Sequence, residues 1–127
     1  MSAVGKPVLD ASAVLALIQA EKGAERLEPL CPEAVVSAVN VGEVLAKLVS
    51  RGMPLRKARA AFDALHVEVV PFTPSEAILS ASFVHAGVSL GDRCFMAAAH
   101  THGTGWTSDR DLAGLEGRHR PLLEFFR

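Results

Sequence analysis

Short β-like runs alternate with helical segments along this chain of 127 residues. The β-like runs are mostly apolar and cover residues 8–9, 34–36, 67–72, 106–107 and 122–126. The patterns between them predict helices over 11–19, 22–30, 38–50, 54–65, 74–86 and 90–102. Strands separated by helices favour an α/β fold with a mainly parallel central sheet flanked by helices. The length suits one domain, so we predict a single domain over residues 1–127.

Composition narrows the classes of function. The formal net charge is -1, which gives no support for a protein that coats nucleic acid non-specifically, because such proteins are usually basic. We find no secretory signal and no apolar run of membrane-spanning length, so we expect a soluble cytoplasmic protein without membrane contact. Cys31 and Cys94 form no metal-ligand pattern. We expect both to be free thiols in a reducing compartment.

Four acidic side chains stand at positions that suit metal binding. Asp10 and Asp109 each follow a strand-like run, Asp92 heads an apolar helix, and Glu43 lies within the helix over 38–50. Hard divalent cations such as magnesium prefer oxygen ligands, which carboxylates supply. If the fold brings these four groups together, their mutual repulsion is costly without a metal. The pattern therefore predicts a divalent-metal site.

Two of these carboxylates also suit a structural role at the start of a helix. Asp10 is well placed to cap the helix over 11–19. Asp92 is the fourth residue of a capping box that begins at Ser89. The helix that follows is apolar nearly all round, and a buried lone carboxylate needs partners. Capping and metal binding both remain open for these two residues.

The other two carboxylates have structural alternatives of a different kind. Lys47 stands four residues after Glu43, in the favourable order for a surface ion pair. Glu43 nevertheless points away from the apolar stripe of its helix and shares a face with small or apolar residues, which indicates loose packing against another part of the protein. Asp109 also suits a turn, where Asp111 is a rival for the same role.

Basic residues form two local clusters, which suit either a solvated surface or contact with nucleic-acid phosphates. The first cluster consists of Arg51, Arg56, Lys57 and Arg59, and the second of Arg118, His119 and Arg120. His100 and His102 lie at a predicted helix end but lack further Cys or His at ligand spacing. This absence argues against a zinc site.

Taken together, four segments resemble the PIN-domain family, and most closely the ribonuclease toxins of VapBC-type toxin–antitoxin pairs. They match the family in order, spacing and length, and they are residues 8–17, 40–45, 90–94 and 106–112. The resemblance covers essentially the whole chain. It implies a PIN-like three-layer sandwich with an acidic pocket at the carboxyl edge of the sheet.

The resemblance also implies functional residues and partners. The matched acidic positions, expected to be catalytic and to bind metal, are Asp10, Glu43, Asp92 and Asp109. Ser12 and Thr107 match polar positions expected to orient ligands or water, and Asp111 is a weaker candidate ligand. Arg93 and the first basic cluster are weak candidates for substrate contact. The resemblance further implies RNA cleavage with one or two Mg²⁺ or Mn²⁺ ions, a homodimer, and a cognate antitoxin protein as partner.

Two rival functions remain. A phosphatase of the haloacid dehalogenase type would need a second aspartate two residues after Asp10, where this chain has Ser12. A PIN-like fold that has lost catalysis would act only as a protein-binding module. Metal titration separates the second rival from a nuclease, because a pure binding module shows no magnesium-dependent stabilisation.

Overall fold

A parallel sheet forms the centre of the protein. The computed structural model describes residues 5–115 and 121–127. Within them, five strands lie in the order β3-β2-β1-β4-β5, and every neighbouring pair is parallel. The strands are β1 (Lys6–Leu9), β2 (Val35–Ser37), β3 (Glu68–Val70), β4 (Gly103–Thr107) and β5 (Leu122–Phe125). The predicted α/β class with a mainly parallel sheet is confirmed.

Six α-helices connect or flank these strands in the described part of the chain. They are α1 (Ala11–Gln19), α2 (Ala24–Leu27), α3 (Ala38–Ser50), α4 (Leu55–Asp63), α5 (Pro74–Ser80) and α6 (Leu90–His102). Short 3-10 turns cover Glu28–Leu30, Ala81–Phe83 and Arg110–Gly114. None of the helices described here has the length and apolar character needed to cross a membrane.

The predicted bounds of α1, α3 and α6 are correct, whereas the other three helices are shorter than predicted. The segment over 22–30 tightens to a 3-10 turn at Glu28, where Pro29 lacks an N–H for the helical ladder. Pro54 is the N-cap of α4 and not a residue of its first turn. The segment over 74–86 leaves helical structure after Phe83, because residues 84–87 are exposed and bury no face that would stabilise another turn.

Alternating strand residues face the helices on opposite sides of the sheet, which gives three layers. Leu9 and Val36 pack in one apolar cluster with residues of α1, α3 and α4. Val8 and Val35 pack in the other, with α6 and the region of α5. Residues 94–99 of α6 are all buried, as its nearly continuous apolar sequence predicts.

The strand that contains Trp106 begins earlier than predicted, at Gly103. The sequence of Gly103 and Gly105 suggests a turn before a strand at 106–107, but both belong to β4. A Cβ atom on Gly105 would lie 2.6 Å from Cζ of Phe95 and 3.1 Å from Cβ of Ala99. Glycine is required there because α6 packs closely on the sheet. The edge strand β3 ends at Val70, short of the predicted residue 72, because Pro71 has no N–H to donate.

The strand order places a crevice between β1 and β4. From β1 the chain adds β2 and β3 on one side, and then β4 and β5 on the other. In open parallel sheets, ligands bind beyond the carboxyl ends of the strands at such a reversal. Leu9 and Trp106 are register partners, and the backbone N–H of Asp10 donates to the Trp106 carbonyl at 3.3 Å. The residues that follow β1 and β4 therefore meet at this crevice.

Candidate metal-binding cleft

A cleft of about 320 Å³ lies at the carboxyl edge of the sheet. All four predicted carboxylates line it: Asp10, Glu43, Asp92 and Asp109. They come from four separate places in the chain, namely the end of β1, the middle of α3, the first turn of α6 and the segment after β4. Residues that are far apart in sequence thus share one concave surface, as a common site requires.

Asp10 is the most buried of the four, at 5% exposed. Its Oδ1 accepts hydrogen bonds from Ser12 Oγ at 2.6 Å and from the Ala13 N–H at 2.9 Å, and its Oδ2 accepts one from Thr107 Oγ1 at 2.5 Å. Burial raises the pKa of the Asp10 carboxyl to about 6. The three hydrogen bonds lower this pKa, but their effect is smaller than that of burial. The negative charge of Asp92 adds to the increase. Asp10 is therefore the N-cap of α1 and at the same time lines the cleft.

Ser12 and Thr107 tie the segment after β4 to the end of β1. Besides donating to Asp10, the Ser12 hydroxyl accepts from the Ser108 N–H at 3.1 Å, and the Thr107 hydroxyl accepts from the Asp109 N–H at 3.0 Å. Each hydroxyl thus acts as donor and acceptor at once, which fixes its proton toward Asp10. The two hydroxyls hold Asp10 and Asp109 in a defined relative position.

Glu43 is half-buried and lies against the start of α6. Its Oε1 accepts a hydrogen bond from Asn40 Nδ2 at 2.6 Å. A Cβ atom built on Gly91 would overlap the carboxylate of Glu43, so this group sits directly on the Gly91 backbone. The predicted packing of this helical face is thus found. No ion pair joins Glu43 and Lys47 in the described part of the chain, so the surface-pair alternative does not explain its position.

Asp92 and Asp109 each accept a hydrogen bond from a backbone N–H at the start of a helical turn. Asp92 Oδ2 accepts from the Ser89 N–H at 3.1 Å, and Ser89 Oγ accepts from the Asp92 N–H at 3.1 Å, which completes the predicted capping box. Asp109 Oδ1 accepts from the Asp111 N–H at 3.0 Å and caps the 3-10 turn. Burial raises the pKa of Asp109, against that hydrogen bond and together with the charges of Asp92 and Asp111. Asp111 is exposed and is not among the residues that line the cleft.

The donor atoms of the cleft fit a hard divalent cation. They are carboxylate and hydroxyl oxygens, and the charge of Asp92 raises the pKa of both Asp10 and Asp109. A cation would remove this repulsion. Among the described residues, no three Asp, Glu, His or Cys side chains lie close enough to hold one metal ion directly. Magnesium keeps several waters and is held by one or two carboxylates, so the donors suit Mg²⁺ or Mn²⁺ bound partly through water, and not a closed zinc site.

The predicted basic residues separate in the structure. Arg51 lines the cleft and donates from Nη1 to Gln19 Oε1 at 2.7 Å. Arg56, Lys57 and Arg59 are exposed on α4 and are not among the residues described as lining the cleft. Arg93, which follows Asp92 on α6, is half-buried and is also not among the residues described as lining the cleft. The second cluster, over 118–120, lies outside the described residues.

Three further polar or charged residues line the cleft although their sequence patterns did not indicate a site: Glu21, Asn40 and Arg127. Nη1 of Arg127 lies 3.2 Å from Glu21 Oε1 and donates to the Lys22 carbonyl at 3.0 Å. Arg127 follows β5, so the rule that identified Asp10 and Asp109 from their strand ends would have found it too. Lys47 lines the cleft as well, although the sequence suggested it only as an ion-pair partner.

Comparison with known proteins agrees with the fold. Residues 8–117 match the family model of the PIN domain. The chain belongs to the PIN-domain family. No curated protein sequence matches it.

Solved structures of VapBC proteins have a similar fold. A DNA-bound VapBC complex from Salmonella typhimurium includes a chain with a TM-score of 0.74 and 14% identity, covering 98% of this chain and 100% of that one. VapC20 of Mycobacterium tuberculosis, described as a sarcin–ricin-loop-cleaving toxin, has a TM-score of 0.67 and 23% identity, covering 91% and 100%. At these identities the likeness establishes the shared PIN-like fold.

Proposed function

We propose that this protein is a cytoplasmic, divalent-metal-dependent endoribonuclease and the toxin of a type II toxin–antitoxin pair. The observation that carries the proposal is the meeting of Asp10, Glu43, Asp92 and Asp109 in one cleft at the strand reversal of a PIN domain. The similar fold of VapC20, a toxin that cleaves the sarcin–ricin loop, supports RNA as the substrate class.

The four carboxylates would hold one or two ions, partly through water, and three hydrogen bonds orient Asp10 among them. When bound, Mg²⁺ or Mn²⁺ supplies an activated water and neutralises charge that develops on the phosphate. Ser12 and Thr107 each hold one of the two Asp10 oxygens in a fixed position. The chain then needs no histidine or lysine as general base, and none of its five histidines is among the residues that line the cleft as described.

Basic side chains at the same cleft would bind the RNA backbone. Lys47, Arg51 and Arg127 line the cleft together with the acidic groups. Their positive charge offsets the negative charge of the carboxylates. A phosphodiester can therefore reach the metal site without crossing a surface whose acidic charge is unbalanced. This arrangement explains how a protein with a net charge of -1 binds a polyanion.

The antitoxin partner is proposed from the similar structures. The Salmonella typhimurium structure is a VapBC complex, and a toxin–antitoxin complex from Klebsiella pneumoniae has a TM-score of 0.69 and 17% identity to this chain. We also propose a homodimer, which the family resemblance implies. Expression of the chain alone should slow bacterial growth, and co-expression of the adjacent small reading frame should restore it. Normal growth at high expression, with the protein soluble, would count against the toxin role.

Asp92→Asn tests the catalytic proposal directly. The variant keeps the size of the side chain but removes a charge from the cleft, so RNA cleavage in Mg²⁺ should fall by about 100-fold or more. Asp63→Asn is the matched control, because Asp63 is an exposed aspartate on α4 beside Arg59. EDTA should abolish cleavage by the wild type, and Mg²⁺ or Mn²⁺ should restore it. Equal rates for both variants would sink the assignment.

The catalytically inactive binding module remains the second candidate, because three of the four carboxylates also cap helical turns. A pure binding module would not be stabilised by magnesium. Thermal melts of the wild type with and without Mg²⁺ therefore separate the two candidates.

A further inference from the structure

Asn40 is the only asparagine of the chain and is 1% exposed. Its Nδ2 donates one hydrogen bond to Glu43 Oε1 at 2.6 Å and another to the Gly91 carbonyl at 3.2 Å. A side-chain amide nitrogen has two hydrogens, so both are used. Asn40 therefore joins a candidate metal ligand on its own helix to the first turn of α6.

Gly91 forms the other side of this arrangement. A Cβ atom at Gly91 would overlap all three atoms of the Glu43 carboxylate group. The absence of a side chain therefore creates the space in which the carboxylate lies. Because Asp92 is the next residue on α6, Glu43 is held close to a second candidate ligand.

Stability does not account for an amide at this position. Asn40 Oδ1 is buried and has no hydrogen-bond partner in the described part of the chain, and a buried unpaired acceptor lowers folding stability. The acceptors that Asn40 contacts do not depend on it. The Gly91 carbonyl lies in the first turn of α6, where the helical ladder supplies an N–H, and the half-buried Glu43 is open to water. What the amide provides is a fixed position for Glu43.

We propose that Asn40 is a positioning residue of the metal site, which holds the Glu43 carboxylate against Gly91 and beside Asp92 so that both carboxylates face the ion together. The inference rests on the metal site of the proposed function and adds a residue that orients one of its ligands. Groups that orient metal ligands in this way contribute substantially to metal affinity.

Asn40→Leu tests the inference, because leucine has a similar size and no side-chain N–H. Mn²⁺ affinity, measured by electron paramagnetic resonance of the free ion, should weaken about 10- to 100-fold. The melting temperature in EDTA should stay within about 4 °C of the wild type. Ser80→Ala is the control: it removes a buried polar group from α5, away from the cleft, and should leave Mn²⁺ affinity unchanged.

A double-mutant cycle separates positioning from a general structural effect. In a Glu43→Gln background, Asn40→Leu should change Mn²⁺ affinity by less than about twofold, because the carboxylate that Asn40 positions is already gone. An effect that persists at full size in that background would overturn the inference. So would a wild-type Mn²⁺ affinity for Asn40→Leu.

Gly91→Ala provides an independent test that leaves Asn40 in place. The added methyl group displaces Glu43, so Mn²⁺ affinity should fall to a similar extent. Unchanged affinity in Gly91→Ala would overturn the inference even where Asn40→Leu is too unstable to measure. Absence of Mn²⁺ binding by the wild type would overturn the proposed metal site together with the inference. Binding by the wild type that neither substitution alters would overturn the inference alone.

Discussion

Substitution of Asp10 by asparagine should change how folding stability depends on pH. The pKa of Asp10 is about 6 in the folded chain, against an ordinary value of 3.8, because the carboxyl is buried. A carboxyl whose pKa rises on folding stabilises the fold most when protonated. Its contribution is therefore fully present below the unfolded pKa and is lost as the pH rises through the folded pKa. Asparagine does not titrate, so the variant lacks this dependence.

The magnitude follows from the two pKa values. At 1.36 kcal/mol for each pKa unit, the difference between 3.8 and about 6 corresponds to about 3 kcal/mol. The free energy of unfolding of Asp10→Asn, relative to the wild type, should therefore rise by about 2 kcal/mol between about pH 4 and about pH 7, because part of the full change falls below pH 4. Titrating groups away from the cleft are common to both proteins and cancel in this difference.

Urea unfolding in EDTA at a series of pH values measures this quantity without metal. Asp63→Asn is the control, since the Asp63 side chain is 63% exposed and its relative stability should vary little with pH. A difference between Asp10→Asn and the wild type that stays constant within about 0.5 kcal/mol from pH 4 to pH 7 would refute the reasoning. Saturating Mg²⁺ should stabilise the wild type at pH 7 and Asp10→Asn much less, because the ion binds the ionised carboxylate.

Three further predictions concern the reaction and the substrate. Glu43→Gln should lower turnover at least about tenfold, whereas the control Glu68→Gln, which alters an exposed strand residue, should not. If the two variants have equal turnover, Glu43 has only a structural role. Arg51→Ala should weaken RNA binding across sequences and reduce the salt slope by about one, whereas Arg56→Ala on α4 should change neither. Cleavage should leave 5′-phosphate and 3′-hydroxyl ends, and a 2′,3′-cyclic phosphate detected by mass spectrometry would contradict hydrolysis by an activated water.

Local signals in the sequence predicted most of the fold. The limits of α3 and α6 follow from serine N-caps at one end and from glycine at the other, Gly52 and Gly103, and these signals act within a few residues of the helix end. Where the end of a helix or strand depends on burial, the local sequence pattern predicted it wrongly. The helical pattern of the sequence continues after Phe83, but no residue from Val84 to Gly87 is buried. Gly105 looked like a turn residue because its contact with Phe95 exists only in the packed protein.

The residues of the cleft likewise fall into those that local sequence could place and those that only long-range contacts place. Asp10 and Asp109 could be placed together because a parallel sheet brings its strand ends to one edge. Glu43 and Asp92 were also candidates from their local sequence, but only the resemblance to a family supported placing them with the other two, since nothing local indicates that α3 meets the start of α6. The role of Asn40 in that meeting was not identified, because it depends on a hydrogen bond to Gly91, 51 residues away in sequence.

Capping and metal binding looked like competing roles for Asp92, but the structure makes them compatible. The carboxylate closes a capping box with Ser89 and also lines the cleft. The N–H groups of a helix start attract negative charge, so the cap holds the Asp92 carboxylate in place for a cation. Asp92→Asn keeps the cap, because an amide oxygen also accepts from the Ser89 N–H, whereas Asp92→Ala removes both functions. In EDTA, the alanine variant should be about 1 kcal/mol less stable than the asparagine variant, and in Mg²⁺ both should have lost cleavage. If the asparagine variant retains cleavage and only the alanine variant loses it, Asp92 acts through the cap and not as a charged ligand.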